Sequence, residues 1–256
     1  MSEEDLITVG RFYDYKLMEL LLELKRDNVK VTEEVVKAAA GNRHDGYEVM
    51  KLLFEKRGEE ITITEKVVTA AAGNLNNGYK IMELLFEKRG EEITITEKTI
   101  TTAAGNTNSG KLIIMLLLEK KSEKVVITKK VVEAAAGNLR FGKEIIMLLL
   151  EKPGDDVIIP KEIVVIIAGK FDVKVVALLL EKQRERIVIT EEVMKAAAGN
   201  NPYGRGIIKL FMEKRGGEVI ITEEVVIAGV RNKMIGQKRV MLLMKHQQLL
   251  KTPLLS

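Results

Sequence analysis

The dipeptide Gly-Asn recurs at a fixed distance along this chain: Gly41-Asn42, Gly73-Asn74, Gly105-Asn106, Gly137-Asn138 and Gly199-Asn200. Gly169-Lys170 and Arg231-Asn232 occupy the matching places, and the steps between second residues are 32, 32, 32, 32, 30 and 32. Such a period marks a repeat architecture, in which one supersecondary unit is copied along the chain and each copy covers the apolar face of the next. Other residues keep the same phase. Thr32, Thr64, Thr96, Thr128, Pro160, Thr190 and Thr222 lie ten residues before, and Gly46, Gly78, Gly110, Gly142, Gly204 and Gly236 four residues after. The unit with the 30-residue step lacks that second glycine and runs Lys170-Phe171-Asp172-Val173 straight into its next helix.

Each unit reads as a pair of helices. Thr32 is placed to cap a first helix through its hydroxyl, and Glu33 and Glu34 favour the positive end of that helix. Val35, Val36 and the small residues Ala38, Ala39 and Ala40 form its body, and Gly41 is expected to end it with a positive φ. Val49, Met50, Leu52, Leu53 and Phe54 then recur at helical spacing, with Lys51, Glu55 and Lys56 toward water and Gly58 as the stop. Ile61-Thr62-Ile63-Thr64 alternates like a brief extended segment with both isoleucines inward. Met50, Met82, Met115 and Met147 suggest a methionine ladder in the core. Met18-Glu19-Leu20-Leu21-Leu22 matches Met82-Glu83-Leu84-Leu85-Phe86, so the array begins before the first Gly-Asn. The expected fold is all-α: a helical-repeat solenoid of about eight units with short extended linkers between helix pairs, running as one domain over 1–256. Its parts are an N-terminal capping unit (1–28), six central units (29–218) and a C-terminal capping unit with a tail (219–256). Arg231, Lys233, Lys238 and Arg239 fit the polar outer face of that last cap, and the leucine-rich tail from Leu249 packs back on it or frays.

Composition narrows the function. Lys and Arg exceed Asp and Glu by only four charges and are interleaved with glutamates, which argues for a solvated surface and against a nucleic-acid footprint. The absence of cysteine excludes disulfides, thiolate metal sites and a cysteine nucleophile. His44 and His246 lie far apart in the array, which argues against a histidine-based metal site or triad; no metal, cofactor or catalytic residue is expected. The acidic start and the lack of a long uncharged run point to a soluble cytoplasmic protein with no membrane partner.

Ala38-Ala39-Ala40-Gly41-Asn42 followed by Glu48-Val49-Met50-Lys51-Leu52-Leu53-Phe54-Glu55-Lys56 resembles the two-helix portion of the ankyrin repeat, as does Val175-Val176-Ala177-Leu178-Leu179-Leu180. The chain is more similar still to the ankyrin-like arrays of fungal multidomain proteins, often downstream of a nucleotide-binding NACHT module, with their Thr-Glu-Glu-Val-Val and Ala-Ala-Gly-Asn signatures. The ankyrin Thr-Pro-Leu-His opening and the Asp-Gly hairpin turn are missing, and the loop between helices is longer. The resemblance implies a binding scaffold, in the fungal case the sensing part of a larger protein.

Positions that differ between otherwise equal units are free to serve recognition. The loops hold Arg140, Phe141, Phe171, Tyr203, Arg205 and Ile235, an aromatic-plus-arginine set like that of interface anchors. A second variable column on the short helices runs Lys37, Thr69, Thr101, Glu133, Val165, Lys195 and Ile227. The expected function is therefore a non-catalytic protein- or peptide-binding scaffold using Arg140, Phe141, Phe171, Tyr203, Arg205, Lys37, Glu133 and Lys195. The alternative is a concave apolar pocket for a small ligand, with turnover assisted by residues such as Glu133 or Lys195.

Overall fold

The computed structural model describes residues 3–24, 30–152, 159–183 and 186–231. The cap residues Lys233, Lys238 and Arg239, the loop residue Ile235, His246 and the tail lie outside them. Among the described residues the secondary structure is helical throughout, with no strand. The helices in chain order are α1 (Glu3–Phe12), α2 (Tyr15–Leu24), α3 (Glu33–Gly41), α4 (Gly46–Arg57), α5 (Glu65–Gly73), α6 (Gly78–Arg89), α7 (Glu97–Gly105), α8 (Gly110–Lys121), α9 (Lys129–Gly137) and α10 (Gly142–Glu151). They continue as α11 (Lys161–Lys170), α12 (Val173–Gln183), α13 (Glu191–Gly199), α14 (Gly204–Arg215) and α15 (Glu223–Val230). Two compact units form, Met1–Leu148 and Leu149–Ser256.

Within the first unit the short helices α1, α3, α5, α7 and α9 stack in one row, and the long helices α2, α4, α6 and α8 stack in another. Within the second unit α11, α13 and α15 form the short row, and α12 and α14 the long one. This is the layering of a helical-repeat solenoid. Helices of 9 and 12 residues are too short to persist alone in water, so burial between rows must hold them. Val36, Val68, Ile100 and Val132 are fully buried down the short row. Leu53, Leu85 and Leu117 are fully buried down the long row, each contributing about 1.5–3 kcal/mol. Ile61 and Ile63 point inward from an extended but unpaired linker, as the alternation implied.

Local chemistry differs from the sequence reading at several places. Gly41 lies inside α3 without a left-handed φ; the helix stops because Asn42 turns to an extended conformation (φ −66°, ψ 115°). Gly58 does not end the chain's helical path either but opens a 3-10 turn, Gly58–Glu60, at φ −54°. Thr32 and Thr64 make no cap bond. Their hydroxyls instead donate to Glu3 Oε1 and Glu33 Oε1, both at 2.6 Å, a carboxylate being the stronger acceptor. Thr96 does both, donating to Glu65 at 2.8 Å and accepting from Thr99 N at 3.3 Å. The methionine ladder is a mixed column: Met18, Met50, Met82, Ile114 and Ile146 share one buried position. Met115 stands one residue further on, 44% exposed, because that position faces outward.

Candidate binding surface

What holds the surface in register is the asparagine of each Gly-Asn pair. Asn74 is 2% exposed, and its side chain bridges two units. Nδ2 donates to the carbonyls of Ala40 (3.0 Å) and Asn42 (2.7 Å) in the preceding unit. Oδ1 accepts from the backbone N–H of Asn76 (3.1 Å) and Asn77 (2.9 Å) in its own loop. Asn106 and Asn138 repeat the pattern one and two units later. Asn42 donates to Gly10 and Tyr13, and Asn200 to Ala168 and Phe171. A buried amide that fills its donors and acceptors fixes one geometry, because leaving them unmet is costly. A second tie runs from the ends of long helices: Arg89 Nη2 donates to Gly58 O at 2.9 Å and Arg215 Nη2 to Ile187 O at 3.0 Å. Sequence reading took Gly-Asn as a capping signal and missed the ladder, though the recurrence of Asn in an otherwise variable loop was its trace.

On this frame the loop residues project unequally. In the first unit Leu139 is 97% exposed, and the Arg140 guanidinium lies 4.9 Å from the centroid of the half-buried Phe141 ring, a cation–π pair at the surface. In the second unit Tyr203 and Arg205 are exposed on either side of buried Gly204, at the start of α14. Phe171 departs from expectation. It is 5% exposed and its carbonyl accepts from Asn200, so it is a core residue of a shortened loop rather than an anchor. There Asp172 takes over the loop-closing role, its Oδ1 accepting from Lys174 N at 3.0 Å and Val175 N at 3.1 Å. Asp14 does the same for Leu17 N at 3.0 Å, so the first helix pair is a second short-loop pair.

The short-helix column is largely engaged with its own neighbours. Lys37 lies 2.8 Å from Glu34, Thr69 Oγ1 lies 3.2 Å from Thr99 Oγ1, and Lys129 reaches toward exposed Glu133 at 3.7 Å. Glu133 and Lys195 fall in different compact units. Perturbed groups are surface pairs: the Thr64 hydroxyl and Lys66 hold the Glu33 carboxyl below its ordinary value, and Thr128 and Lys130 do the same for Glu97. Glu83 pushes the Tyr79 phenol up. Among the described residues, no cluster of three or more His, Asp or Glu is arranged to hold a metal ion, and no helix is long and apolar enough to cross a membrane.

Grooves between successive long helices differ in chemistry. The groove between α4 and α6 is small, about 340 Å³, and Tyr47, Lys51, Glu55 and Lys88 stand along it. The groove between α12 and α14 is larger, about 850 Å³, lined by Ala177, Leu180, Val188 and Leu210 together with the charged Glu181, Lys214, Arg215 and Glu218. Aligned by the long-helix pattern, Ala177 stands where α4 has Lys51, and Val188 stands where the earlier linker has Thr62. Two polar residues have become apolar, and a long side chain has become a methyl group. A further opening of about 1250 Å³ between α2 and α4 is walled mainly by charge, including Glu19, Glu23, Lys30, Lys56 and Glu59.

Neither the curated proteins nor the solved structures compared with this chain yield a match. Six segments do match one repeat family, described as Domain of unknown function (DUF7104): residues 20–50, 52–82, 84–113, 116–146, 178–207 and 210–241. Each of the first five segments begins within a long helix, passes through a short helix and its Asn, and ends within the next long helix, while the sixth begins in α14, passes through α15 and ends outside the described residues, so the family's unit is the joint between helix pairs. The matched segments account for well over half of the residues, and the chain belongs to this family as an array of its repeats.

Proposed function

We infer that this chain is a non-catalytic scaffold that binds a protein or peptide, with the groove between α12 and α14 as a principal contact surface. The supporting observation is the substitution pattern of that groove. The frame around it repeats, while Ala177 and Val188 in its lining stand at the sequence positions that Lys51 of α4 and Thr62 of the following linker hold earlier in the array. An open trough that sets Leu180, Val188 and Leu210 among charged side chains suits an amphipathic peptide helix, whose apolar anchors lie at three- and four-residue spacing. The exposed Tyr203 and Arg205 of the same compact unit offer further anchors of the kind enriched in interfaces. Resemblance to fungal ankyrin-like arrays supports a place as the sensing part of a larger protein.

The test is a selection of displayed helical peptides on the intact chain, followed by affinity measurement for the enriched sequences. Ala177→Lys with Val188→Thr introduces the polar residues found at the equivalent earlier positions and is expected to weaken binding at least about tenfold. Affinity unchanged by that pair, but lost in Phe141→Ala with Tyr203→Ala, would move the contact to the loop row. A selection that enriches nothing would count against the scaffold itself.

A further inference from the structure

Two helix pairs, α1 with α2 and α11 with α12, differ from the others in the same way. Two residues join their helices, Tyr13-Asp14 and Phe171-Asp172, where the other pairs use four, as in Asn74–Asn77. An aspartate ends each short loop and accepts from the backbone N–H three residues on, Leu17 in α2 and Val175 in α12. Neither loop holds the asparagine that elsewhere reaches back to the preceding unit, and Lys170 stands in its place at the end of α11. The second recurring tie, a threonine hydroxyl on a glutamate of the short helix before, joins Thr32, Thr64, Thr96 and Thr222 to Glu3, Glu33, Glu65 and Glu191. Ahead of α11 both of its residues are gone: Pro160 replaces the threonine, and Lys129 replaces the glutamate. Thr190 also lacks a carboxylate partner of this kind, since Lys161 stands there, but Asn200 keeps its bonds to Ala168 and Phe171. Among the described helices after α1, only α11 is without the residues for both ties.

We propose that the chain is two repeat arrays in tandem, α1–α10 and α11–α15, each opened by its own short-loop pair, and that the two fold and unfold independently. Three further observations agree. The boundary between the compact units falls inside α10, one helix before this break. The family's repeats begin at residue 20, the sixth residue of α2, and after a gap from 147 to 177 they resume at residue 178, the sixth of α12. Ala136 in α9, whose carbonyl is the counterpart of those gripped by the asparagines, is half-buried, whereas Ala40, Ala72 and Ala104 are buried. In a repeat array the stability of each unit is shared with its neighbours through their joints, so a joint without its ties uncouples what lies on either side. The first array can then open while the second keeps its helices.

Hydrogen exchange on the intact chain, read peptide by peptide by mass spectrometry across a urea series, tests this. Asn106→Ala should speed exchange in α5–α9 at least about tenfold and leave α11–α15 at the parent rate, and Asn200→Ala should do the reverse. A flexible glycine-serine insert after Gly154 should leave the unfolding midpoints of both arrays where they were, whereas the same insert after Gly90, at an ordinary joint, should lower the midpoint of the first. Asn106→Ala that also speeds exchange in α11–α15 would overturn the proposal, and so would an insert after Gly154 that lowers either midpoint. None of these readouts involves a bound peptide, so the proposal and the reading of the groove between α12 and α14 stand or fall apart.

Discussion

Asn106 is 3% exposed, donates at 2.9 and 3.0 Å to Ala72 and Asn74, and accepts at 3.0 and 2.9 Å from Asn108 and Ser109. Asn106→Ala strands four backbone groups, two of them in the unit before, and is expected to lower unfolding free energy by about 3–5 kcal/mol in a urea titration. Asn106→Asp should be worse than a loss of donors alone, since it turns a carboxylate toward two carbonyl oxygens. Asp14 and Asp172 show where that residue is tolerated: in shorter loops, where the side chain accepts from its own helix start. Two glycines separate by the same reasoning. A Cβ on Gly78 would sit 2.8 Å from the Ala71 carbonyl oxygen, so Gly78→Ala should destabilise by about 1–3 kcal/mol. A Cβ on Gly41 meets nothing, and because that residue is helical, Gly41→Ala should stabilise by about 0.5–1 kcal/mol. Thermal melts of the two alanine variants, moving in opposite directions, are the check.

Within each compact unit, the starts of several short helices are tied to the start of the one before. Thr64 and Lys66 both reach Glu33, at 2.6 and 3.1 Å, and Lys130 reaches Glu97 at 3.0 Å. These partners hold Glu33 and Glu97 below the ordinary carboxylate value of 4.5, so the stability they contribute is present above that pH and is lost as pH falls through their lowered values. A melting series from neutral pH into acid should therefore show a decline beginning near pH 4.5, shallower in Glu33→Gln with Glu97→Gln and weaker at high salt. At this scale the sequence was legible where periodicity speaks. Helix pairs, inward isoleucines and the small-residue short helix all follow from spacing. It was less legible where one side chain has two options. A threonine before a helix can cap it or donate to a neighbouring carboxylate, and the choice depends on Glu3 or Glu33 arriving from another unit. The Met115 misplacement is of another kind: a one-residue offset between Met82 and Met115 turns a buried site into an exposed one, which only the exact 32-residue phase reveals.

For the molecule, a period near 32 residues already implies stacked helix pairs, because no such pair can bury its own face. A peptide of residues 33–57, holding α3 and α4 alone, is expected to give the circular dichroism of a largely unfolded chain. The candidate groove was not legible in the same way. Ala177 and Val188 belong to different segments, and their joint effect depends on the distance between α12, α14 and the linker. The loop aromatics were visible, yet Phe171, in the shortened loop, is buried in the core. The asparagine joint has a consequence for how such a protein changes over generations. Its donors grip main-chain oxygens, which every residue carries, so the fit makes little demand on the side chains of the module ahead. Copies can then be duplicated, deleted or exchanged by recombination while the joint still closes, and the outward-facing residues are left to diverge with whatever they must recognise.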